Sequence, residues 1–157
     1  MKTLLSMLLF LWFNPQQTPD LIQGKGFKGY VLGKDRFVLT TIENQKERYT
    51  PVEEDVLLAE QILKEDLAEL NIPMTDQSGD CPVIHRNLKK YIRQYVGYVN
   101  TAGEKVIWIN FLWKSGTDNQ TLTDEVVIVL DGCSHYWNIK VNLDKRLLYD
   151  LSVNGSA

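Results

Sequence analysis

The chain has 157 residues, of which 44% are hydrophobic, 24% charged and 10% aromatic, and its formal net charge is −3. That is about one domain's worth of chain, with enough apolar side chains to bury a core without a metal or a disulfide. The composition excludes disorder, collagen, a coiled coil and a multi-span membrane protein, and with no basic excess no nucleic-acid partner is expected.

Residues 1–17 read as a secretory signal peptide. Lys2 precedes residues 4–13, an apolar run broken only by Ser6. This matches the charged and apolar regions of an export signal, and the run is shorter than the roughly 20 residues a spanning helix needs. Asn14, Pro15, Gln16 and Gln17 make a polar exit, but no Ala-x-Ala cleavage pattern follows. An uncleaved anchor and an ordinary buried segment therefore stand as alternatives. The reading places residues 18–157 outside the cytosol, periplasmic or extracellular, as one α+β domain. Membrane contact is expected only through an uncleaved leader.

Residues 24–32 and 36–42 are rich in aromatic and β-branched side chains, and Gly33, Lys34 and Asp35 lie between them. They predict an N-terminal hairpin. Residues 50–70 predict the long helix. Thr50 suits the N-cap, Pro51 the first helical position, and Glu53 the far side of a capping box. Val56, Ala59, Leu63, Leu67 and Leu70 fall on one stripe. Residues 71–82 form a turn-rich linker, and residues 83–90 suit a short helical turn.

The rest reads as β. Residues 91–99 and 105–113 flank the hairpin loop 100–104. The strand 105–113 is apolar on both faces, so it is either central or an exposed interaction face. Residues 114–124 form a polar connection, and residues 125–130 suggest a short central strand. From Cys133 to Leu143 the odd positions are mostly apolar and the even ones polar, the alternation of a half-buried strand. Leu147, Tyr149, Leu151 and Val153 supply the inner face of the last strand. The expected architecture is α+β: one long helix packed on an antiparallel sheet of about four strands, preceded by an N-terminal β-hairpin.

Cys81, Cys133, His85 and His135 are the chain's only cysteines and histidines. Three readings use them. A structural disulfide, Cys81 to Cys133, suits an exported chain with an even cysteine count. A zinc site would use all four, though the spacing matches no usual finger. A nucleophilic site would place Asp131, Cys133 and His135 along one strand face. No cofactor is expected. Lys89, Lys90, Tyr91, Arg93, Tyr95 and Tyr98 interleave basic and aromatic side chains. With Trp108 they suggest a wet binding face made of Tyr91, Arg93, Tyr95, Tyr98 and Trp108.

An N-terminal strand, a long helix and then an antiparallel meander resembles the cystatin-like superfold. Gln94-Tyr95-Val96-Gly97-Tyr98 is similar to the Gln-x-Val-x-Gly motif of its inhibitors, with the glycine one place early. Tyr136-Trp137 stands where a Pro-Trp pair would be, so the resemblance implies a fold and carries no protease inhibition. In general style the chain also resembles small exported bacterial proteins of unknown function. The expectation is an exported, non-enzymatic domain that binds a protein, peptide or glycan through its sheet or aromatic strands. The alternative is a Cys/His-dependent enzyme using Cys133 and His135.

Overall fold

A computed structural model describes residues 21–38, 42–115, 122–123 and 125–155. The leader and most of the connection 114–124 lie outside the described residues. The described residues form one α-helix and a sheet of seven strands in the order β1-β2-β4-β5-β6-β7, with β3 paired to β4 beside β2. The strands are β1 Leu21–Gly24, β2 Phe27–Leu32, β3 Gln45–Tyr49, β4 Tyr91–Asn100, β5 Lys105–Trp113, β6 Tyr136–Asn142 and β7 Leu147–Val153; the helix is α1, Glu53–Leu70. The α+β class holds, but the sheet is larger than the expected four strands.

The extra strands come from the N-terminal third. The hairpin turns at Lys25 and Gly26, not at Gly33, so β1 pairs with β2 antiparallel. Gly26 adopts φ +95°, a conformation open to glycine at this turn. β2 then pairs parallel with the first half of β4, and β3 pairs antiparallel with its second half. Two short strands thus share one edge of β4. Arg48 closes their junction, donating from Nε to Gly97 O at 3.0 Å and from one terminal nitrogen to Leu32 O and Gly33 O at 3.3 Å.

The helix starts later than expected. Val52 is the N-cap, and its N–H donates to Asp55 Oδ2 at 3.4 Å. Thr50, read as the cap, instead accepts from Lys34 N–H at 2.9 Å and holds the β2 exit. Glu53, Glu54 and Asp55 in the first turn complement the helix dipole. Val56, Ala59, Leu63 and Leu67 are buried as the stripe demands, joined by Ile62, whereas Leu70 is exposed. Gly97 is needed beside this helix start: a Cβ there would stand 2.7 Å from the Pro51 ring and 2.8 Å from Tyr49 O. That packing requirement explains a glycine inside a long strand.

α1 lies across β6 and β7 and also reaches β1, so the sheet curls around it until both edges meet the helix. The core between them holds Tyr91 and Tyr95 from β4, Ile107, Ile109 and Phe111 from β5, and Trp137, Ile139 and Val141 from β6. Phe111 stacks on Trp137 with ring centres 3.6 Å apart. β5 is central and covered on both faces, the first of the two alternatives its two-sided apolarity left open. The odd positions of β6 face the core as expected. In β7 the expected parity holds for only part of the strand. Lys140 opposes Tyr149 but Asn138 opposes Ser152, so Asp150, at φ +50°, is the extra residue of a bulge. Leu148 therefore joins the helix-side core before the bulge, Leu151 and Val153 pack against it after the bulge, and Tyr149 turns to the other face.

One charged pair sits inside this core. Arg93 is 1% exposed and donates from Nε to Glu60 Oε1 at 3.0 Å, while a terminal nitrogen reaches Glu60 Oε2 at 3.3 Å. Its other terminal nitrogen donates to Leu88 O and Tyr91 O, both at 2.9 Å. Tyr95 Oη donates to Glu60 Oε1 at 2.8 Å, and burial followed by the Glu60 charge holds its hydroxyl proton on well above the usual range. Removing one member of such a pair strands the other as a buried charge. Glu60→Ala is expected to lower stability by about 3–5 kcal/mol in urea unfolding, and Glu60→Leu with Arg93→Met should recover most of it. A loss under about 1 kcal/mol in the single variant would show that the pair does not hold the helix to the sheet.

The far end of the sheet carries a second polar knot. Glu104 accepts from Lys145 at 2.7 Å, from Asn100 Nδ2 at 3.0 Å and from Asn142 Nδ2 at 2.8 Å. The hydrogen bonds from Lys145, Asn100 and Asn142 together lower its pKa to about 2 from an ordinary 4.5. The folded state therefore binds fewer protons than the unfolded one below pH 4.5. The stabilisation is complete above pH 4.5 and is lost as pH falls from there toward 2. Urea midpoints measured across that window should fall for the native chain, and fall less steeply for Glu104→Gln.

Candidate functional site

The residues expected to form one wet face do not share a face and are not wet. Strand alternation sends Tyr91, Arg93 and Tyr95 toward the helix and Tyr98 and Trp108 to the opposite side, and all five are buried. Each has work inside the fold. Tyr91 Oη donates to Ser134 O at 2.6 Å, and burial pushes its hydroxyl pKa up. Tyr98 Oη shares a 3.2 Å hydrogen bond with Tyr149 Oη, and Trp108 Nε1 donates to Asn138 Oδ1 at 3.0 Å.

The cysteines form the expected bridge. Cys81 and Cys133 are joined, with Cα atoms 6.0 Å apart and a sequence separation of 52. In the chain-entropy model a loop of that size contributes about 4 kcal/mol. The bridge ties the linker to the entry of β6, where Ser134 Oγ also donates to Pro82 O at 2.6 Å. Cys133, Ser134 and His135 form a 3-10 turn, not a strand, so Asp131, Cys133 and His135 do not line one strand face. His135 Nδ1 is 3.1 Å from Gly132 O and 3.5 Å from the bonded Cys133 sulfur. His85 lies elsewhere, its Nδ1 accepting from Asn71 Nδ2 at 2.9 Å. Burial, then the charge of Arg86, lowers its pKa. Among the described residues no group of three or more His, Cys, Asp or Glu is placed to hold a metal.

The face of the sheet away from the helix carries the feature the sequence reading missed. Residues 125–130 are not a central strand. They cross this outer face as an extended strap outside the sheet, with Val126 tucked under and Leu130 90% exposed. Side-chain amides hold its main chain. Gln94 Nε2 donates to Leu122 O at 3.0 Å and Glu125 O at 2.7 Å, and Gln94 Oε1 accepts from Val127 N–H at 2.9 Å. Asn110 Nδ2 donates to Val127 O at 2.9 Å and to Gln94 Oε1 at 3.1 Å. Asn154 Nδ2 donates to Val129 O at 2.6 Å and Asp131 O at 3.0 Å.

Gln94 and Asn110 belong to one row, which Asn154 lies outside. Gln94 opposes Asn110 across β4 and β5, Asn110 opposes Asn138 across β5 and β6, and Asn138 opposes Ser152 on β7. The first two are spent on the strap. Asn138 accepts from Trp108 Nε1 through its oxygen, which leaves its two Nδ2 donors. They meet no acceptor among the described residues. Asn138 stands on the floor of a cleft of about 420 Å³ between the strap and β7, beside Ser152 and the Lys140–Asp150 pair, whose Nζ and Oδ2 are 2.7 Å apart. A second hollow of about 500 Å³ is lined by Arg36, Phe37, Val38, Ile42 and Arg48.

A weak sequence signal for this row exists: Asn110 interrupts an otherwise apolar strand, whereas Gln94 follows Arg93 and does not stand out. Neither residue type carries chemistry of its own, so the interruption alone does not tell an amide that holds a strap from a solvated one. Gln94→Ala removes three bonds to the strap at once. Amide exchange over residues 125–131 is expected to speed up by about tenfold or more, while β4 and β5 stay protected. Equal acceleration across the whole sheet would mean that Gln94 supports the core and not the strap.

Comparison of the chain with protein-family models, with curated proteins and with solved structures finds no match, so the cleft is read from its own geometry alone.

Proposed function

We propose that the chain is an exported, non-enzymatic binding domain and that the outer-face cleft takes an extended peptide segment. The observation that carries this reading is the amide row. Two of its members already grip main-chain groups of the covering segment through donor and acceptor together, the carbonyls of Leu122, Glu125 and Val127 and the N–H of Val127. The third, Asn138, presents the same group to an open cleft beside that segment. Main-chain contacts give affinity for an extended peptide regardless of its side chains, and neighbouring pockets select among them. Exposed Ile128 and Leu130 on the strap provide an apolar rim, and Lys140 with Asp150 a charged one.

A glycan is a poorer fit to this cleft. Sugar stacking needs an open aromatic platform, and Trp108 is only 6% exposed. The Cys/His-dependent alternative needs a thiolate at Cys133, and that sulfur is in the bridge. The bridge also supports export, because disulfides persist in oxidising compartments.

Selection of a random decapeptide display library on the native chain tests the proposal. Enriched peptides should shift the amide resonances of Asn138, Ser152 and residues 127–129, and should bind Asn138→Ala about five- to tenfold more weakly. Peptides that bind Asn138→Ala as tightly as the native chain would overturn it. So would a library yielding none while oligosaccharides shift the same resonances.

A further inference from the structure

We infer that the end of the sheet carrying the β1–β2 turn is a docking surface for an anionic lipid bilayer. It is distinct from the cleft and independent of the peptide reading. The chain is acidic overall, yet residues 21–34, 81–103 and 105–117 contain no Asp or Glu. These three stretches meet at one rim. Gly24 opposes Phe27 and Tyr91 opposes Trp113 at the last rungs. Beyond them, Lys114 N–H donates to Lys90 O at 3.0 Å and Lys114 Nζ to Lys89 O at 2.6 Å. The β1–β2 turn abuts the same group, since a Cβ on Gly26 would stand 3.3 Å from Lys89 Cε.

The rim thus gathers Lys25, Lys28, Lys89, Lys90 and Lys114, all exposed except the half-buried Lys28. None of the five meets a carboxylate among the described residues. Elsewhere Lys105, Lys140, Lys145 and Arg146 each pair with one. Glu60, the acid that approaches from the helix, is committed to Arg93 and Tyr95. Aromatic rings lie among the cations: Lys90 Nζ is 5.5 Å from the Trp113 ring centre and Lys28 Nζ 5.9 Å from that of Tyr30.

The charges are spread along the rim on mostly exposed side chains, an arrangement that suits a broad negative surface. The sequence points to a bilayer. The apolar run 4–13 precedes β1 by seven residues, which span at most about 25 Å, and β1 carries the chain straight to the rim. With the leader in its uncleaved form, one short apolar element holds a membrane marginally, and a polybasic patch within reach supplies the second signal that stable attachment needs. Each lysine near an anionic surface strengthens binding several-fold, and salt weakens it.

Co-sedimentation of the full chain with vesicles of phosphatidylcholine, alone or mixed with phosphatidylglycerol, tests the inference. The native chain should bind mixed vesicles more tightly than neutral ones, and the difference should vanish in high salt. Lys25→Gln, Lys89→Gln, Lys90→Gln and Lys114→Gln combined should lose on the order of a hundredfold on mixed vesicles and nothing on neutral ones. The four Lys→Arg changes should keep the native affinity, and an unchanged urea midpoint certifies both folds. Equal binding to the two vesicle types overturns the inference, as does a quadruple Gln variant that binds mixed vesicles like the native chain. Complete release from mixed vesicles by dextran sulfate at equal charge would instead assign the rim to a soluble polyanion and also overturn it.

Discussion

The need to neutralise one fully buried cation organises this fold. Arg93 points from β4 into the space between sheet and helix, where water cannot solvate its charge. Glu60 meets it from α1, Leu88 and Tyr91 offer carbonyls, and Tyr95 closes the carboxylate's remaining side. Apolar side chains alone would let the helix slide or rotate on the sheet at little penalty, since burial is nearly indifferent to direction. A buried ion pair with further hydrogen bonds tolerates one register, because any other leaves charge uncompensated. β2 is part of the same arrangement. Gly29 sits opposite Arg93, and a Cβ there would stand 2.4 Å from the Tyr95 ring and 2.8 Å from Arg93 Cβ.

The two faces of the sheet then solve different problems. The helix side is sealed by aromatic and aliphatic packing around Trp137 and Phe111. Among the described residues no helix covers the outer side, and an open apolar sheet in water invites association. Here the chain covers it with its own extended strap, held by side-chain amides and not by sheet pairing. Gripping a main chain from a sheet face is a general capability, and a row of amides longer than the strap requires is what turns a structural device into a candidate site. The Cys81–Cys133 bridge and the Ser134–Pro82 contact fix the residues just after the strap, so its C-terminal anchor stays in place.

Much of the fold was legible where the pattern was long. The helix stripe, the β4–β5 hairpin with its loop, and the alternation of β6 all follow from periodicity sustained over seven residues or more. Errors fell where a short pattern met a tertiary constraint. Residues 125–130 read as a buried strand because they are apolar, but their hydrogen bonds go to side chains, which periodicity does not reveal. The β7 parity changed at a bulge, a one-residue insertion that flips every later side chain. The aromatic set of β4 and β5 was read as one face although Tyr98 and Trp108 differ in parity from Tyr91, Arg93 and Tyr95.

The sequence by itself determined the α+β class, the elements with strong periodicity and the two cysteines available to each other. These are local or combinatorial properties, set by side-chain spacing and by the count of reactive groups. Only the tertiary structure decided that β2 and β3 share one edge of β4, that Arg93 is buried against Glu60, and that Gln94, Asn110 and Asn138 form a single row. Each of those depends on which strands become neighbours and in what register. That choice is made by packing the whole chain at once, so no window of sequence contains it.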